Sequence, residues 1–356
     1  MTRSTLRTIS ALVSAGLVRP EAAPALELVA RQYAIAIPAS LTGLINSSDP
    51  YDPIARQYVP DARELVTLPS EVTDPIGDNR HSPVKGIVHR YPDRVLLKVV
   101  SVCPVYCRFC FRREMVGPGK SGNLSPHELD AALAYIASNS GIREVIVTGG
   151  DPFILAAQRM ASLTSRLSAI SHVQKIRWHT RVPVVEPTLV NDALVNALKS
   201  AAAEVVVAVH ANHPAEFSIE AEAAISRLDA AGISMLSQSV LLKGVNDNIE
   251  TLSSLMQAFT RNHIKPYYLH HADLAPGTSH FRTTISLGRD LMRELRRNTP
   301  TPDLPSYVLD LPGGYSKVNL ETDAAVRKSD RNWQLRDDQG QWHDYVEDAA
   351  LFGQHL

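Results

Sequence analysis

Residues 101–113 read Ser101-Val-Cys-Pro-Val-Tyr-Cys-Arg-Phe-Cys-Phe-Arg-Arg113, and this stretch holds all three cysteines of the chain, Cys103, Cys107 and Cys110. An odd number of thiols cannot close into pairs, and thiols this near in sequence make poor structural bridges. The spacing Cys-x3-Cys-x2-Cys suits an iron–sulfur cluster, whose usual ligands are thiolates. A tight loop can wrap three corners of a [4Fe–4S] cube, which leaves the fourth iron open to a small molecule. Zinc is the competing metal, but a structural zinc site takes four closed ligands. The nearest upstream histidine, His89, lies beyond a whole predicted strand. Unligated buried cysteines are the bland alternative.

Outward from the cysteines, a period emerges. From Arg94, short β-branched runs alternate with helical patterns. Strands are predicted at Val95–Val100, Glu144–Thr148, Ile176–Thr180, Glu204–His210, Ser234–Val240 and Pro266–His270. Helices are predicted at Ser125–Ser138, Ala156–Ala169, Leu189–Ala202, Ile219–Ala231 and Asn248–Asn262. Such alternation implies an α/β fold with a parallel sheet wound right-handed, as an open sheet or a barrel. Six units are too few for a full eight-stranded barrel.

Polar residues fall at the ends of these strands. Gly149-Gly-Asp-Pro152 follows the second, His179 and Arg181 close the third, and His210 and Asn212 the fourth. Gln238 sits near the end of the fifth, and His270, His271 and Asp273 close the sixth. Ligands of parallel α/β folds bind at the carboxyl ends of the strands. Taken singly, each of these histidines reads as well as a satisfied structural residue. Five coincidences in succession describe a site.

Residues 1–35 read as two helices broken near Arg19-Pro20. Leu6, Ile9, Val13 and Leu17 share one helical face, which favours an amphipathic docking helix over a signal peptide. Residues 37–90 are proline-rich and irregular, with Tyr51, Tyr58, Leu65 and Leu68 available for packing. The expected domains are a helical and wrapping segment over 1–90, the barrel core over 91–300, and a C-terminal segment over 301–356. The tail from Asp323 is polar and suggests no role. The 356 residues are 44% hydrophobic with a net charge of −1, which gives no electrostatic case for nucleic acid or a membrane surface. No apolar run is long enough to cross a membrane. Free thiols at an oxygen-sensitive cluster point to the reducing cytoplasm.

The cysteine motif resembles that of the radical S-adenosylmethionine (SAM) enzymes, in which SAM chelates the open iron and is cleaved reductively to a 5′-deoxyadenosyl radical. The resemblance sharpens to the lysine 2,3-aminomutase family over about residues 74–320. It is carried by Asp74-Pro-Ile-Gly77, His81-Ser-Pro-Val84, His89-Arg-Tyr-Pro-Asp-Arg-Val-Leu-Leu97, Arg181-Val-Pro-Val-Val185, Asn212-His-Pro214, Gln238-Ser-Val-Leu-Leu-Lys-Gly-Val-Asn-Asp247, Pro266-Tyr-Tyr268, His280-Phe-Arg-Thr283 and Pro312-Gly-Gly314.

That resemblance implies a partial (β/α)6 barrel, a [4Fe–4S] cluster, SAM and pyridoxal 5′-phosphate (PLP). Cys103, Cys107 and Cys110 would ligate the cluster. Gly149, Gly150, Asp151, His210 and Gln238 match SAM-binding positions, and Lys317 matches the PLP lysine. Arg90, Tyr91 and Arg94 match the segment that meets PLP, and Arg181 is expected to join them. Arg112 matches the binder of the substrate carboxylate. Asp273 and Asp310 match the two aspartates that hold the distal ammonium of a lysine substrate.

The implied activity is a 1,2-amino migration interconverting L-lysine and β-lysine. The expected partners are an amino-acid substrate, an electron donor such as flavodoxin or ferredoxin, and further copies of the chain. Neither nucleic acid nor membrane is expected. Other readings are an aminomutase for another amino acid, a β-lysine supplier for elongation-factor modification, and a non-catalytic iron–sulfur protein with a vestigial PLP site. The chain departs from the family pattern at three points. It lacks the C-terminal zinc cysteines of members acting on free lysine, its PLP loop is less glycine-rich, and His270 stands where a tyrosine is expected.

Overall fold

The computed structural model describes residues 4–117, 119–120, 123–300 and 303–348. Its centre is a nine-stranded sheet in simple sequential order. The strands are β1 (Ile87–Tyr91), β2 (Arg94–Val100), β3 (Glu144–Gly149), β4 (Lys175–Thr180), β5 (Glu204–His210), β6 (Ser234–Val240), β7 (Ile264–His270), β8 (Ser306–Asp310) and β9 (Lys317–Asn319). β2 to β8 are parallel; β1 and β9 are antiparallel edges. The predicted strands β2 to β7 are all present. β1, β8 and β9 extend the sheet across both expected domain boundaries.

Helices α1 (Ile9–Ser14), α2 (Ala23–Gln32), α3 (Ala39–Thr42) and α4 (Pro53–Tyr58) precede the sheet. α5 (Pro126–Ser138), α6 (Ala157–Ser168), α7 (Val182–Val185), α8 (Asp192–Leu198), α9 (Ile219–Ala230), α10 (Ile249–Arg261) and α11 (Ile285–Asn298) connect its strands. Their starts are written locally. Ser125 and Glu128 form a capping box on α5, and Asn191, Ser218, Asn248 and Thr284 cap α8, α9, α10 and α11. α10 buries Leu252, Leu255, Met256 and Phe259, one stripe at helical spacing, against the sheet.

Nine strands make a half-barrel, and its open side is closed by the segment before β1. At Gly77 (φ +67°) a Cβ would stand 2.6 Å from the carbonyl of Gly313, so only glycine allows the two backbones to meet. Arg80 donates to Gly313 O at 2.9 Å, His81 Nε2 lies 2.7 Å from Gly314 O, and Lys317 N donates to the Tyr91 hydroxyl at 3.0 Å. These contacts put the PLP-lysine candidate beside β1, far away in sequence.

The polar tail forms a three-stranded antiparallel sheet, β10 (Ala325–Arg327), β11 (Asn332–Arg336) and β12 (Trp342–Val346). Trp333, Leu335 and Tyr345 join the main core. Glu347 accepts from Trp333 Nε1 at 2.8 Å and from Ile285 N at 2.6 Å, which pins this sheet to the start of α11. The tail is therefore part of the packed structure through residue 348; the rest of it lies outside the described residues.

Candidate active site

The cysteine loop leaves the end of β2 and is gripped from outside by the N-terminal segment. Glu64 is fully buried and takes Arg108 Nε at 2.9 Å together with Arg113. Arg108 also donates to Ala34 O at 2.8 Å, and its backbone N–H to Gln57 O at 2.8 Å. Residues 34–64 thus set the shape of the loop. Burial raises the pKa of all three thiols. Cys107 is pushed up to about 12, chiefly by burial and against the opposing charge of Arg181.

Beside the loop lies the Gly-Gly-Asp turn at the end of β3. Gly149 has φ +121°, and a Cβ there would meet Val100 O at 2.2 Å. Gly150 N donates to Val100 O at 2.6 Å and Asp151 N to Val102 O at 3.1 Å, so the turn is stitched to the approach to Cys103. Both oxygens of Asp151 are occupied within the fold: Oδ1 accepts from Thr180 and Phe153 N, and Oδ2 from Arg181 N.

Arg181 is held here as well. Its Nη1 donates to Tyr58 Oη at 2.6 Å and Glu216 Oε2 at 2.7 Å, and its guanidinium lies 5.3 Å from the Phe109 ring centroid. Its described partners are thus Tyr58, Glu216 and, on the cysteine loop, Phe109, whereas those of Arg90 are Asp78, Ile76 and Asp310.

A second group gathers around Lys317. Its Nζ lies 2.6 Å from Asp310 Oδ2 and 5.2 Å from the Tyr268 ring centroid. Asp310 also faces Arg90 Nη1 at 3.5 Å and His270 Nδ1 at 3.4 Å. Burial alone would raise the pKa of Asp310, but Lys317 and His270 hold it well below the usual carboxylate range. Asp273 is raised instead, first by burial and then by Asp310. His270 Nε2 in turn meets Gln238 Nε2 at 2.9 Å, and His210 Nε2 lies 3.4 Å from His179 Nδ1. Burial lowers His210 to about 3, so its imidazole is neutral. Arg94 stands at the opposite end of β2, paired with Asp93 at 2.9 Å and stacked over Tyr91.

Sequence reasoning missed Asp78, Lys98, Glu64 and Glu216. Asp78 is fully buried and is approached by Arg112 Nε at 3.1 Å, Lys98 Nζ at 3.5 Å and Arg90 Nη2 at 3.9 Å. Burial works against its ionisation, but Arg112 and Lys98 lower its pKa. Lys98 carried a readable signal, because it interrupts the apolar run Val95-Leu-Leu-Lys-Val-Val100. Lys98 and Arg112 both line a cavity of about 440 Å³ that reaches Gly149.

Residues 97–256 match the family model for the Radical SAM superfamily. An L-lysine 2,3-aminomutase of Methanococcus maripaludis is 40% identical over 302 residues, 85% of this chain and 69% of that protein. A putative L-lysine 2,3-aminomutase of Aquifex aeolicus is 39% identical, covering 85% and 81%. The L-lysine 2,3-aminomutase of Clostridium subterminale is 36% identical, covering 86% and 73%. The chain belongs to the lysine 2,3-aminomutase family, and is a radical SAM aminomutase.

The family implies a [4Fe–4S] cluster, SAM and PLP, and the residues present suit all three. Three thiols on one loop, costly to ionise alone, are a donor set that a cationic cluster completes. Among the described residues no three His, Cys, Asp or Glu side chains converge as ligands of a single ion. A cube does not need that convergence, since each thiolate binds its own iron. Buried atoms of Gln238 (Oε1), His179 (Nε2), Arg90 (Nε) and Asp78 (Oδ1) have no hydrogen-bond partner among the described residues. Orphaned polar atoms are expensive unless a polar ligand meets them.

Proposed function

We propose that this protein interconverts L-lysine and β-lysine by moving an amino group between Cα and Cβ. The observation that carries this reading is the pair Asp273 and Asp310. They come from different segments, yet after burial the charge of Asp310 helps raise the pKa of Asp273, which Lys317, Arg112 and Arg90 oppose, so the two carboxylates share one electrostatic environment. A long side chain ending in an ammonium must leave water to react, and a carboxylate at contact distance offsets that desolvation. Glutamate or alanine has no such need.

Arg112 would hold the substrate carboxylate, the role for which a guanidinium fork is suited. Cys103, Cys107 and Cys110 would hold the cluster, and Gly149, Gly150, Asp151, His210 and Gln238 would surround SAM. Lys317 would anchor PLP, with Arg90 and Tyr91 beside it; Arg94 would act only through Tyr91, over which it stacks, and Arg181 is engaged by Tyr58 and Glu216. When bound, these groups supply a 5′-deoxyadenosyl radical and a covalent hold on the migrating nitrogen. Asp310 Oδ2, 2.6 Å from Lys317 Nζ, orients that amine toward the site. The pKa of the neighbouring Asp273 is raised by burial and by Asp310, and a substrate ammonium beside it would favour its ionised form. The protein otherwise orients the substrate and excludes water.

A one-electron donor of the flavodoxin or ferredoxin type, a homo-oligomeric state and a cytoplasmic location go with this reading. The test is anaerobic incubation with SAM, PLP, a reductant and a panel of free amino acids, followed by mass-resolved chromatography of β-amino products. L-Lysine should be converted best. Faster conversion of glutamate or alanine removes the lysine reading.

A further inference from the structure

Lys98 sits in the interior of β2 and Arg112 on the cysteine loop, yet both reach one oxygen, Oδ2 of Asp78, at 3.5 and 3.1 Å. Asp78 is placed by its own backbone: its N–H donates to Asp74 Oδ1 at 2.8 Å. The carboxylate is fully buried, and its Oδ1 has no hydrogen-bond partner among the described residues. Arg90 stands 3.9 Å from that second oxygen. Arg90 is shared with Asp310 at 3.5 Å, so Lys98 and Arg112 are the two cations that Asp78 alone pairs among the described residues, and both contribute to the wall of the 440 Å³ cavity, which Glu114 also lines.

Neither cation is used up by Asp78. An ammonium has three donors, and Asp78 takes at most one from Lys98. Arg112 gives Asp78 only its Nε, and among the described residues no hydrogen bond engages its two Nη groups. Two partly buried cations that share one carboxylate and keep unused donors can take a further anion from the cavity side. Lys98 retains 21% of its side-chain exposure and Arg112 12%, so a ligand in the cavity can reach both.

We propose that Lys98 is a second cation for the substrate α-carboxylate, and that Asp78 is the positioning residue that fixes Lys98 and Arg112 at the right separation. This rests on the α-amino-acid reading above and deepens it. The clamp makes the site selective for a free carboxylate over a carboxamide, because one Asp78 carboxylate balances only one of the two cations and a neutral group leaves the other without a partner charge. The competing role for Lys98 is neutralisation of Asp78 alone. In that case its loss would affect charged and neutral ligands alike, since Arg112 and Arg90 still cover the carboxylate.

The experiment is calorimetric titration of the anaerobically reconstituted holoenzyme, with SAM present and no reductant, so that nothing turns over. The ligands are L-lysine and L-lysinamide. Lys98→Met should weaken L-lysine binding on the order of 10- to 100-fold, the loss of one charge-assisted hydrogen bond, with L-lysinamide nearly unchanged. Lys98→Arg should restore most of the difference. In a separate turnover assay with reductant, Asp78→Asn should raise KM for L-lysine with kcat within about threefold, the mark of lost uniform binding; an unchanged KM removes the positioning role. Equal weakening of both ligands by Lys98→Met, or no weakening of L-lysine, overturns the clamp. If the parent protein prefers another free amino acid to lysine, the same acid and amide pair of that compound is titrated. Loss of its discrimination in Lys98→Met upholds the clamp while the lysine reading falls.

Discussion

Lys317 Nζ and Asp310 Oδ2 lie 2.6 Å apart, joined across the turn between β8 and β9. The pair orients the amine, and Arg90 and His270 complete the surroundings of Asp310. Reduction of the PLP-loaded protein with borohydride should fix a pyridoxyl group on Lys317, identified by peptide mass spectrometry. A label on another lysine removes Lys317 from the site and leaves the cluster chemistry standing.

Asp273→Asn and Asp310→Asn should each lose lysine turnover. Removing one carboxylate leaves a buried ammonium underpaired, at a cost of about 3–5 kcal/mol, which is on the order of 100- to 1000-fold or more. SAM cleavage in the absence of substrate should be unaffected. Unchanged lysine turnover in both variants would falsify the acidic-pair argument.

The same two aspartates give opposite pH signatures in stability. Asp273 is raised, so between an ordinary aspartate pKa of about 4 and its native value the folded state carries a proton the unfolded chain has released. Stability therefore falls as pH rises through that window. Asp310 is depressed, and its contribution is lost as pH falls from about 4 through its native value. Thermal melts of the protein without ligands should show Asp273→Asn more stable than the parent at pH 9, with the gap closing toward pH 5. A gap that does not depend on pH contradicts this assignment.

Replacing Cys103, Cys107 or Cys110 by Ala should remove most iron and sulfide after anaerobic reconstitution, together with SAM cleavage. Full four-iron loading in all three variants would mean the cluster is held elsewhere.

Glu64→Ala leaves Arg108 and Arg113 buried without their shared carboxylate. The expected loss is about 3–5 kcal/mol of stability. Because Arg108 and Arg113 flank Cys110, iron loading should fall too. Denaturant melts and iron counting on the same sample check the two effects. A variant as stable as the parent shows that the N-terminal wrap does not hold the loop.

Much of this molecule is legible in its sequence, and the reason is locality. Three cysteines in eight residues share one loop however the rest folds. The strands β2 to β7 and most of their helices follow from apolar periodicity and N-caps, which act over a few residues. α8 ends at Leu198 rather than Ala202, and β10 to β12 escape the reading because strands of three to five residues give too little pattern. His270 could be placed at a strand end, but not against Asp310 and Gln238.

What the sequence alone determined is therefore the repeating β/α architecture, the cluster loop and the resemblance that names Lys317. Only the tertiary structure decided which charges meet. Arg90 on β1 reaches Asp310 on β8 because residues 76–81 close the half-barrel over the 311–314 turn. Asp78, Lys98 and Arg112 converge because strand register and a buried turn bring three separate segments to one oxygen. Such convergence depends on packing between residues distant in the chain, and the energies of buried charges depend on what surrounds them, so neither is written in any local run of residues.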